Sequence, residues 1–265
     1  MNNGENWRQY MMRHPTPYRG SGSTSPLYWA RKVGPVLVIS LSSYSGFMPG
    51  SLQYEWLSKY LAKRINREET PWVVVTLHVP MYTSSTDAIY EGELMRQSVE
   101  PLLYQYGVDI VVNGHIHAYE RSIPVYNLTR NPCGTVHITI GDSGNYEGAY
   151  PGWRSPNVQG KLAFESDGGW SAFREASFGV GSLKFYNSTH AFMSWHRHAC
   201  SSVKNFAVFG TATPENNYGY NTSAATCATP DDNGGFAFDT SDEAWIVRPS
   251  ALECPNRHVS THVQA

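Results

Sequence analysis

The fold of this chain is constrained most strongly by an alternation of apolar strands and amphipathic helices in its first half. Three short, β-branched, apolar segments have the length of buried strands, and two segments between them carry apolar side chains at helical spacing. In chain order these strands and helices occupy residues 36–41, 52–65, 72–77, 94–106 and 108–112. Such alternation with short links is typical of right-handed crossovers and predicts a parallel sheet. Pro101 should kink or split the second helix, because proline removes a helical hydrogen bond.

The pattern changes after Glu120, where helices no longer separate the strands. Residues 136–140, 178–186 and 191–196 have the composition of strands, and glycine-rich turns lie between them. We therefore expect this region to be antiparallel. From residue 199 onward the chain is rich in Asn, Thr, Ala, Gly, Asp and Pro and has little periodicity, which indicates an irregular extension.

The composition of the 265-residue chain argues against two classes of protein. The formal net charge is −2 and only 16% of the residues are charged, so we expect no basic surface that holds a nucleic acid. The longest apolar stretches are far shorter than the roughly 20 residues that a membrane span needs, so we expect no membrane partner. Hydrophobic residues make up 41% of the chain, which is enough for a sizeable core.

Cysteines and glycosylation triplets indicate the compartment. Four cysteines allow two disulfides in three connectivities: Cys133, Cys200, Cys227 and Cys254. Three N-x-S/T triplets, the acceptors of N-glycans, begin at Asn127, Asn187 and Asn221. These features are typical of a secreted glycoprotein. The first residues have no basic segment followed by an apolar run, so they do not form a signal peptide.

Three histidines lie where two of the predicted parallel strands end. His78 follows the strand at residues 72–77, and His115 and His117 follow the strand at residues 108–112. Ligands bind beyond the carboxyl ends of such strands because the loops there converge, so these imidazoles should surround one centre. Imidazole suits zinc, iron or manganese when carboxylates complete the ligand set. A single histidine at a strand end is usually only a satisfied polar residue, but three together favour a metal site.

The residues around these histidines form longer motifs. LHVPMY at residues 77–82 is followed by EGE at 91–93 and by YGVDIVVNGHIHAYERS at 106–122. Further along are SAFREASFG at 171–179 and NSTHAFMSWHRH at 187–198. Together these motifs resemble the purple acid phosphatases, which are secreted dinuclear members of the calcineurin-like metallophosphoesterases. The resemblance extends from residue 18 to residue 198.

The resemblance implies a role for each histidine and an acid phosphatase activity. His78 and His115 would bind a divalent ion, which is Zn, Mn or Fe(II) in the family, and His117 would bind Fe(III). The two ions would clamp a small phosphate monoester at acid pH and activate water for attack on its phosphorus. No other cofactor is implied.

The resemblance also implies a fold and a division of the chain. The fold would be α/β, the C-terminal portion of a metallophosphoesterase αββα sandwich, in which a parallel strand–helix half is followed by antiparallel strands. Residues 1–125 would form a partial calcineurin-like metallophosphoesterase domain, and residues 126–198 the purple acid phosphatase C-terminal region. Residues 199–265 match no part of the family and would be the irregular extension, held by disulfides if its cysteines are oxidised.

Several motifs of the family are absent from this sequence. The family's earlier motifs supply two metal-binding aspartates, a tyrosinate and an Asn–His pair, and none of these motifs precedes His78. We therefore expect the latter part of a longer secreted acid phosphatase, whose signal peptide and N-terminal half the sequence lacks. The alternative is a natural short protein without catalysis, which uses the fold as a binding or structural module. A hydrolase without metal is disfavoured, because the sequence has no G-x-S-x-G nucleophile motif.

The loop between the HVP and EGE segments differs from the family's pattern. Plant members often carry a pair of histidines in this loop, and one of the equivalent positions here is Asp87. Asp87 is a candidate general acid if its pKa is raised. Tyr82, Glu91 and Glu93 are expected to shape the loop.

The remaining polar residues of the motifs are expected to be structural. Glu120 and Arg121 are interpreted as an ion pair behind the ligands, and Asp142 and Asn145 as turn formers. The sequence identifies neither the natural ester nor the divalent ion, and it leaves both a monomer and a homodimer open.

Overall fold

Three β-sheets and two long helices make up the fold of the part that the computed structural model describes, residues 7–86, 91–144, 149, 169–198 and 238–255. The helices are α1 (Arg8–Arg13), α2 (Leu52–Arg64) and α3 (Glu93–Gln105), and a 3₁₀ turn covers Tyr18–Ser21. The strands are β1 (Trp29–Val33), β2 (Val36–Ser40), β3 (Trp72–Thr76), β4 (Ile110–Asn113), β5 (Tyr119–Ser122), β6 (Val125–Tyr126), β7 (Thr129–Arg130), β8 (Val136–Ile140), β9 (Ser171–Glu175), β10 (Gly179–Phe185), β11 (His190–His198) and β12 (Phe238–Val247).

The strands of the described residues form three sheets, a large one, a small one and a two-stranded one made of β6 and β7. The large sheet has seven strands in the order β1-β2-β3-β4-β8-β5-β9, and the small sheet has the order β10-β11-β12. β2, β3 and β4 pair in parallel, and α2 and α3 connect them, which confirms the predicted crossovers. Helix α2 begins after Ser51, whose hydroxyl accepts a hydrogen bond from the backbone N–H of Tyr54.

Pro101 does not split the second helix, which was one of the two outcomes expected from the sequence. Helix α3 runs unbroken from Glu93 to Gln105 with Pro101 inside it. Proline deprives the carbonyl of Gln97 of its helical donor, but Gln97 and Pro101 are both exposed, so water can bind that carbonyl. The opposite face of α3, with Met95 and Val99, is buried and holds the helix in place.

The direction of β8 differs from the expectation. β8 follows Glu120 and was expected to be antiparallel, but it pairs in parallel with β4. On its other side β8 pairs antiparallel with β5, which pairs antiparallel with β9, so the expectation is confirmed for these two pairs. A short apolar strand has the same composition in either direction, so its own sequence cannot specify which neighbour it joins.

The chain beyond residue 199 is not irregular throughout. Within its described part, β12 is a ten-residue strand that pairs antiparallel with β11 along its length. The expectation of an irregular extension is therefore wrong for β12. The strand was missed because its sequence, FDTSDEAWIV, is mostly polar and has no clear alternation before Trp245.

The large sheet, the small sheet and the helices stack in three layers. Successive side chains along each strand of the large sheet point to opposite faces, so they contribute alternately to two cores. One face packs against α2 and α3, through buried residues that include Val73, Val75, Val111, Leu57, Leu61, Met95 and Leu103. The other face packs against the small sheet, through residues that include Trp72, Val74, Ile138, Met193, Trp195 and Ile246.

A disulfide closes the end of the fold that follows β12. Cys133, in the loop before β8, is bonded to Cys254, which lies 121 residues further along the chain. Cys200 and Cys227 lie outside the described residues. None of the helices in the described ranges combines the length and the apolar character needed to cross a membrane.

Candidate metal centre

The candidate centre lies at the carboxyl edge of the parallel strands, as the sequence predicted. His78 follows β3, and Gly114 to His117 follow β4. The strand pairing continues beyond the strands, since the backbone N–H of Gly114 donates to the carbonyl of His78 (N···O 3.0 Å). This bond holds the two loops side by side and brings their histidines together.

His78 and His115 meet directly. Nδ1 of His115 lies 3.1 Å from Nε2 of His78, and the ring centroids are 4.9 Å apart. Two imidazole nitrogens bound to one tetrahedral zinc ion, each about 2.0–2.1 Å from it, would be about 3.3 Å apart. The observed separation therefore fits a pair of nitrogens that share one ion. It equally suits an N–H···N hydrogen bond between neutral rings, so the pair does not require a metal.

Glu91 fixes the orientation of His115. Its carboxylate oxygen Oε2 lies 2.8 Å from Nε2 of His115. If Nε2 carries the proton and donates to Glu91, the lone pair of Nδ1 points toward His78, where an ion would be bound. The backbone of His115 is in the left-handed region (φ 67°), an uncommon conformation for a residue with a side chain. The ring position is thus set both by the backbone and by Glu91.

Gly92 explains how Glu91 reaches His115. A Cβ atom at Gly92 would lie only 1.9 Å from the carbonyl oxygen of Pro80, so only glycine allows the two ends of this loop to approach so closely. From the sequence, Glu91 is expected merely to shape the loop. The structure gives it a direct contact with a candidate ligand instead.

His78 is prepared to act as a neutral ligand. Partial burial and the neighbouring His115 lower its pKa, His117 lowers it slightly further, and the Glu91 carboxylate opposes these effects. A neutral imidazole is the form that binds metal ions. The site therefore disfavours the protonated form of His78 even without an ion.

The three predicted histidines are not equally close to one another. His117 is half-buried and near enough to affect His78 electrostatically. However, within the described ranges no three His, Cys, Asp or Glu side chains form a group that could hold a metal ion. The structure thus brings His78 and His115 together, and metal binding by His78, His115 and His117 stays a prediction. Asp87, the candidate general acid, lies outside the described residues.

Two aromatic residues at the rim of the site were missed by the sequence analysis. The ring of Tyr44, in the loop after β2, lies 5.9 Å from that of His78, and Trp7 stacks on Tyr44 at 5.7 Å. The hydroxyl of Ser43 accepts a hydrogen bond from the backbone N–H of Val79, which ties this loop to the His78 loop. The signal was available, because Tyr44 follows the first predicted parallel strand and so lies at the same sheet edge as the histidines.

Behind the histidines, Glu120 is held by hydroxyl groups rather than by Arg121. Its carboxylate accepts hydrogen bonds from the backbone N–H and hydroxyl of Ser84 and from the hydroxyl of Ser171. Burial raises the pKa of Glu120, and these hydrogen bonds and Arg174 counteract the rise. Arg174 also donates to the Ser84 hydroxyl. The network ties β5 and β9 to the loop that follows His78.

Arg121 instead joins the two sheets. Its guanidinium donates twice to the buried carboxylate of Asp242 on β12, and the hydroxyl of Tyr119 donates to the same carboxylate. The expected Glu120–Arg121 pair is therefore wrong. Adjacent residues of a strand point to opposite faces of the sheet, so Glu120 and Arg121 cannot pair along β5.

Asp142 is more than a turn former. It lies just after β8 and is completely buried. Its carboxyl oxygens have no hydrogen-bond partner in the parts of the chain that the structure describes. Burial raises the pKa of Asp142 to about 7, against the opposing effects of its own backbone N–H and of the Trp195 indole, and Glu175 raises it slightly further. Asn145 lies outside the described residues.

A mixed sheet that gathers histidines at the carboxyl edge of its parallel strands defines a metallophosphoesterase-like architecture. The family model for calcineurin-like phosphoesterases matches residues 9–119, and the model for iron/zinc purple acid phosphatase-like protein C matches residues 134–205. The chain belongs to the purple acid phosphatase family.

Individual relatives agree with this assignment. Purple acid phosphatase 18 of Arabidopsis thaliana is 48% identical over 185 residues, which are 70% of this chain and 40% of the relative. Purple acid phosphatase 1 of Ipomoea batatas is 45% identical over 196 residues, which are 70% of this chain and 39% of the relative. The chain thus spans about 40% of the length of the curated relatives that it matches.

A solved structure supports the fold. The purple acid phosphatase from yellow lupin (Lupinus luteus) seeds superimposes with a TM-score of 0.60 and 18% identity, covering 92% of this chain and 37% of that one. The predicted fold class is confirmed by this match and by the family models.

Proposed function

We propose that this chain supplies part of a dinuclear metal centre that hydrolyses phosphate monoesters at acid pH. The observation that carries the proposal is the contact between Nε2 of His78 and Nδ1 of His115, 3.1 Å apart, with Glu91 on the other nitrogen of His115. His78 and His115 would hold a divalent ion, either Zn, Mn or Fe(II), and His117 would hold Fe(III). The name of the matching C-terminal family model, which includes iron and zinc, supports this choice of metals.

The protein's own groups would orient the ligands and control protons. The Glu91 carboxylate would hold His115 in the tautomer that leaves Nδ1 free to bind. Desolvation and the neighbouring His115 lower the pKa of His78, which favours its neutral, metal-binding form. When bound, the two ions would neutralise charge on the phosphate oxygens and activate water for attack on phosphorus. Asp87 remains our candidate for the general acid that protonates the leaving group.

Three imidazoles and one carboxylate are too few to hold two ions. Ferric iron favours anionic ligands, and an imidazole ligand carries no negative charge. We therefore propose that the remaining ligands come from a polypeptide segment that this sequence does not contain. The alternative is a short protein that uses the same fold as a binding or structural module. It is favoured by the lack of a group of three metal-binding side chains within the described residues.

We also propose that the protein is secreted. The Cys133–Cys254 disulfide supports this proposal, because disulfides persist in oxidising compartments and are rare in the cytosol.

Two measurements test the proposed function. The chain alone, supplied with Fe³⁺ and Zn²⁺, is expected to bind at most one ion and to show no hydrolysis of p-nitrophenyl phosphate. If the genomic sequence upstream of Met1 encodes aspartate-containing motifs in frame, the longer protein is expected to bind two ions and to hydrolyse this ester. In that protein His115→Ala should abolish turnover.

Each part of the proposal has its own contradicting result. Turnover that survives His115→Ala in the longer protein would refute the proposed role of the histidines. Two ions per chain and turnover by the short chain would refute the claim that its ligand set is incomplete. An in-frame stop codon preceded by a promoter would favour the non-catalytic alternative.

A further inference from the structure

The edge of the large sheet opposite the candidate metal centre carries a cavity of about 350 Å³. The loops that precede β3, β4 and β11 border it, together with the segment that follows β12. We call it the arginine cavity, because Arg67 and Arg248 line it. Its volume lies within the range of small-molecule sites, about 300–1,000 Å³. The four residues of β4 separate Asp109, in the cavity wall, from the loop of His115, which places the two sites about 15 Å apart.

Arg67 is held by groups of the protein itself. Its Nη1 donates to the carboxylate of Asp109 (2.6 Å) and to the carbonyl of Pro71 (2.8 Å), and its Nη2 donates to the carbonyl of Gly107. The same oxygen of Asp109 also accepts a hydrogen bond from the backbone N–H of Val73 (2.8 Å). The side chains of Arg67 and Asp109 are only 11% and 3% exposed. The charge of Arg67 is therefore balanced by Asp109.

Arg248 lacks a carboxylate of its own. It directly follows β12 and is half-buried. Its Nε donates to the carbonyl of Ser188 (2.8 Å), and its backbone N–H donates to the carbonyl of Thr189 (2.8 Å). Within the ranges that the structure describes, Nη1 and Nη2 of Arg248 donate no hydrogen bond and form no ion pair. Both ends of its guanidinium fork are thus available to a ligand.

The surroundings of Arg248 disfavour its positive charge. Burial lowers the pKa of Arg248, the Asp109 carboxylate opposes this effect, and the neighbouring Arg67 lowers the pKa further. A guanidinium nevertheless stays protonated in proteins. Glu68, also in the cavity wall, is exposed, so water and salt screen its charge. One positive charge in the cavity therefore lacks a buried counter-charge, and a bound anion would offset the free-energy cost of this.

The disulfide fixes the wall of the cavity beside Arg248. Cys254 lines the cavity and is bonded to Cys133. Its backbone N–H donates to the carbonyl of Ser250 (3.1 Å), and the hydroxyl of Ser250 donates to the carboxylate of Glu253 (2.8 Å). The segment after Arg248 is therefore a closed turn tied to the large sheet. A site whose walls are fixed in this way loses little freedom when it binds a ligand.

We propose that the arginine cavity binds a small oxyanion, either a phosphate or a carboxylate, through Nη1 and Nη2 of Arg248. The planar fork of a guanidinium matches two oxygens of such a group and forms two parallel hydrogen bonds with them. Arg67 adds a second positive charge nearby, which Asp109 only balances. The cavity is large enough for a small organic acid or phosphate ester. The proposal does not depend on the proposed phosphatase activity, because the cavity lies at the opposite edge of the sheet.

Calorimetric titration of the full chain with inorganic phosphate and with succinate tests the proposal. The protein is dialysed first against EDTA and then against buffer, so that no metal ion at the histidines binds the anion. At least one of the two anions should bind at one site per chain. Arg248→Gln should weaken this binding about tenfold or more, because it removes the charge and its donors. Arg31→Gln, which removes the charge of an exposed arginine on β1, is the matched control and should leave the affinity unchanged.

A second measurement leaves the chain unmutated, since Arg248 also anchors the turn at Ser188. Phenylglyoxal modifies arginine side chains, and peptide mass analysis gives the rate at each of them. The anion that binds, at ten times its Kd, should slow the modification of Arg248 about tenfold and leave that of Arg31 unchanged. Binding of phosphate alone or of succinate alone would support the proposal and identify the group. Binding of neither anion, equal affinities of wild type and Arg248→Gln, or an unprotected Arg248 would overturn it.

Discussion

The polar groups at the sheet edge and those between the large and small sheets differ in how fully hydrogen bonds occupy their donors and acceptors. At the edge, His78 is exposed, His115 is half-buried, and their nitrogens approach each other with lone-pair capacity available for a ligand. Between the sheets, the Asp242 carboxylate is buried and accepts three hydrogen bonds from Arg121 and Tyr119. Both regions are polar, but only the first of these two has hydrogen-bonding or ligand-binding capacity left over. The second only holds the layers together.

The largest effect is expected from breaking the ion pair between the sheets. Asp242→Ala leaves Arg121 buried without its partner and removes the acceptor of the Tyr119 hydroxyl. We expect the free energy of unfolding to fall by about 3–5 kcal/mol, measured by urea denaturation. Glu243→Ala on the same strand is the matched control, since Glu243 is exposed and should change stability by less than about 0.5 kcal/mol. Equal losses of stability in the two variants would refute the role of Asp242 in holding the two sheets together.

The disulfide should contribute the next largest effect. Replacing Cys133 and Cys254 by serine removes a link across 121 residues and should lower the free energy of unfolding by about 2–4 kcal/mol. Urea denaturation with and without reductant separates this bond from other thiol effects. A double variant as stable as the oxidised wild type would contradict the prediction.

Asp142 should make stability depend on pH. Its pKa of about 7 in the folded protein is above its usual 3.8, so the folded state binds the proton more tightly. This contribution to stability is fully present below about pH 4 and is lost as the pH rises to about 7. The slope for one proton is at most about 1.4 kcal/mol per pH unit. Asp142→Asn should remove this slope, as urea denaturation over this pH range would show. The prediction is contradicted if the stabilities of the variant and the wild type change with pH to the same extent.

The smallest effect is expected at the sheet edge, where Glu91 contacts His115, a candidate ligand, and does little for the fold. Glu91→Gln should weaken Zn²⁺ binding about tenfold in a calorimetric titration, because His115 loses its charged partner. Its stability should be close to that of the wild type, because Glu91 is largely exposed. Glu68→Gln, an exposed residue outside the site, is the matched control and should leave Zn²⁺ binding unchanged. Unchanged Zn²⁺ affinity in both variants would show that Glu91 has no role in the candidate site.

The sequence predicted those elements whose burial pattern is local. β3 and α2 were found because a strand covered on both faces is apolar throughout and a helix covered on one face is periodic. β12 was not found, because only part of it is buried and its key inward residue, Asp242, is polar. The direction of β8 depends on β4, which lies elsewhere in the chain, so no local pattern could reveal it.

The candidate site could be predicted from the sequence to about the same degree as the fold. The meeting of His78 and His115 follows from the rule that the ends of parallel strands lie at one edge. The contact of Glu91 with His115 was not predictable, because it depends on the close approach of Gly92 to Pro80. The partner of Cys133 was likewise open among three connectivities until the fold placed Cys254 beside it.

The central claim is that His78 and His115 share one ion, and a double-mutant titration with Zn²⁺ tests it most directly. If both nitrogens bind the same ion, His78→Ala and His115→Ala should each weaken binding about 100-fold, and the double variant should lose little more, because a ligand without its partner contributes little. Losses that simply add, or either single variant with wild-type affinity, would contradict a shared ion.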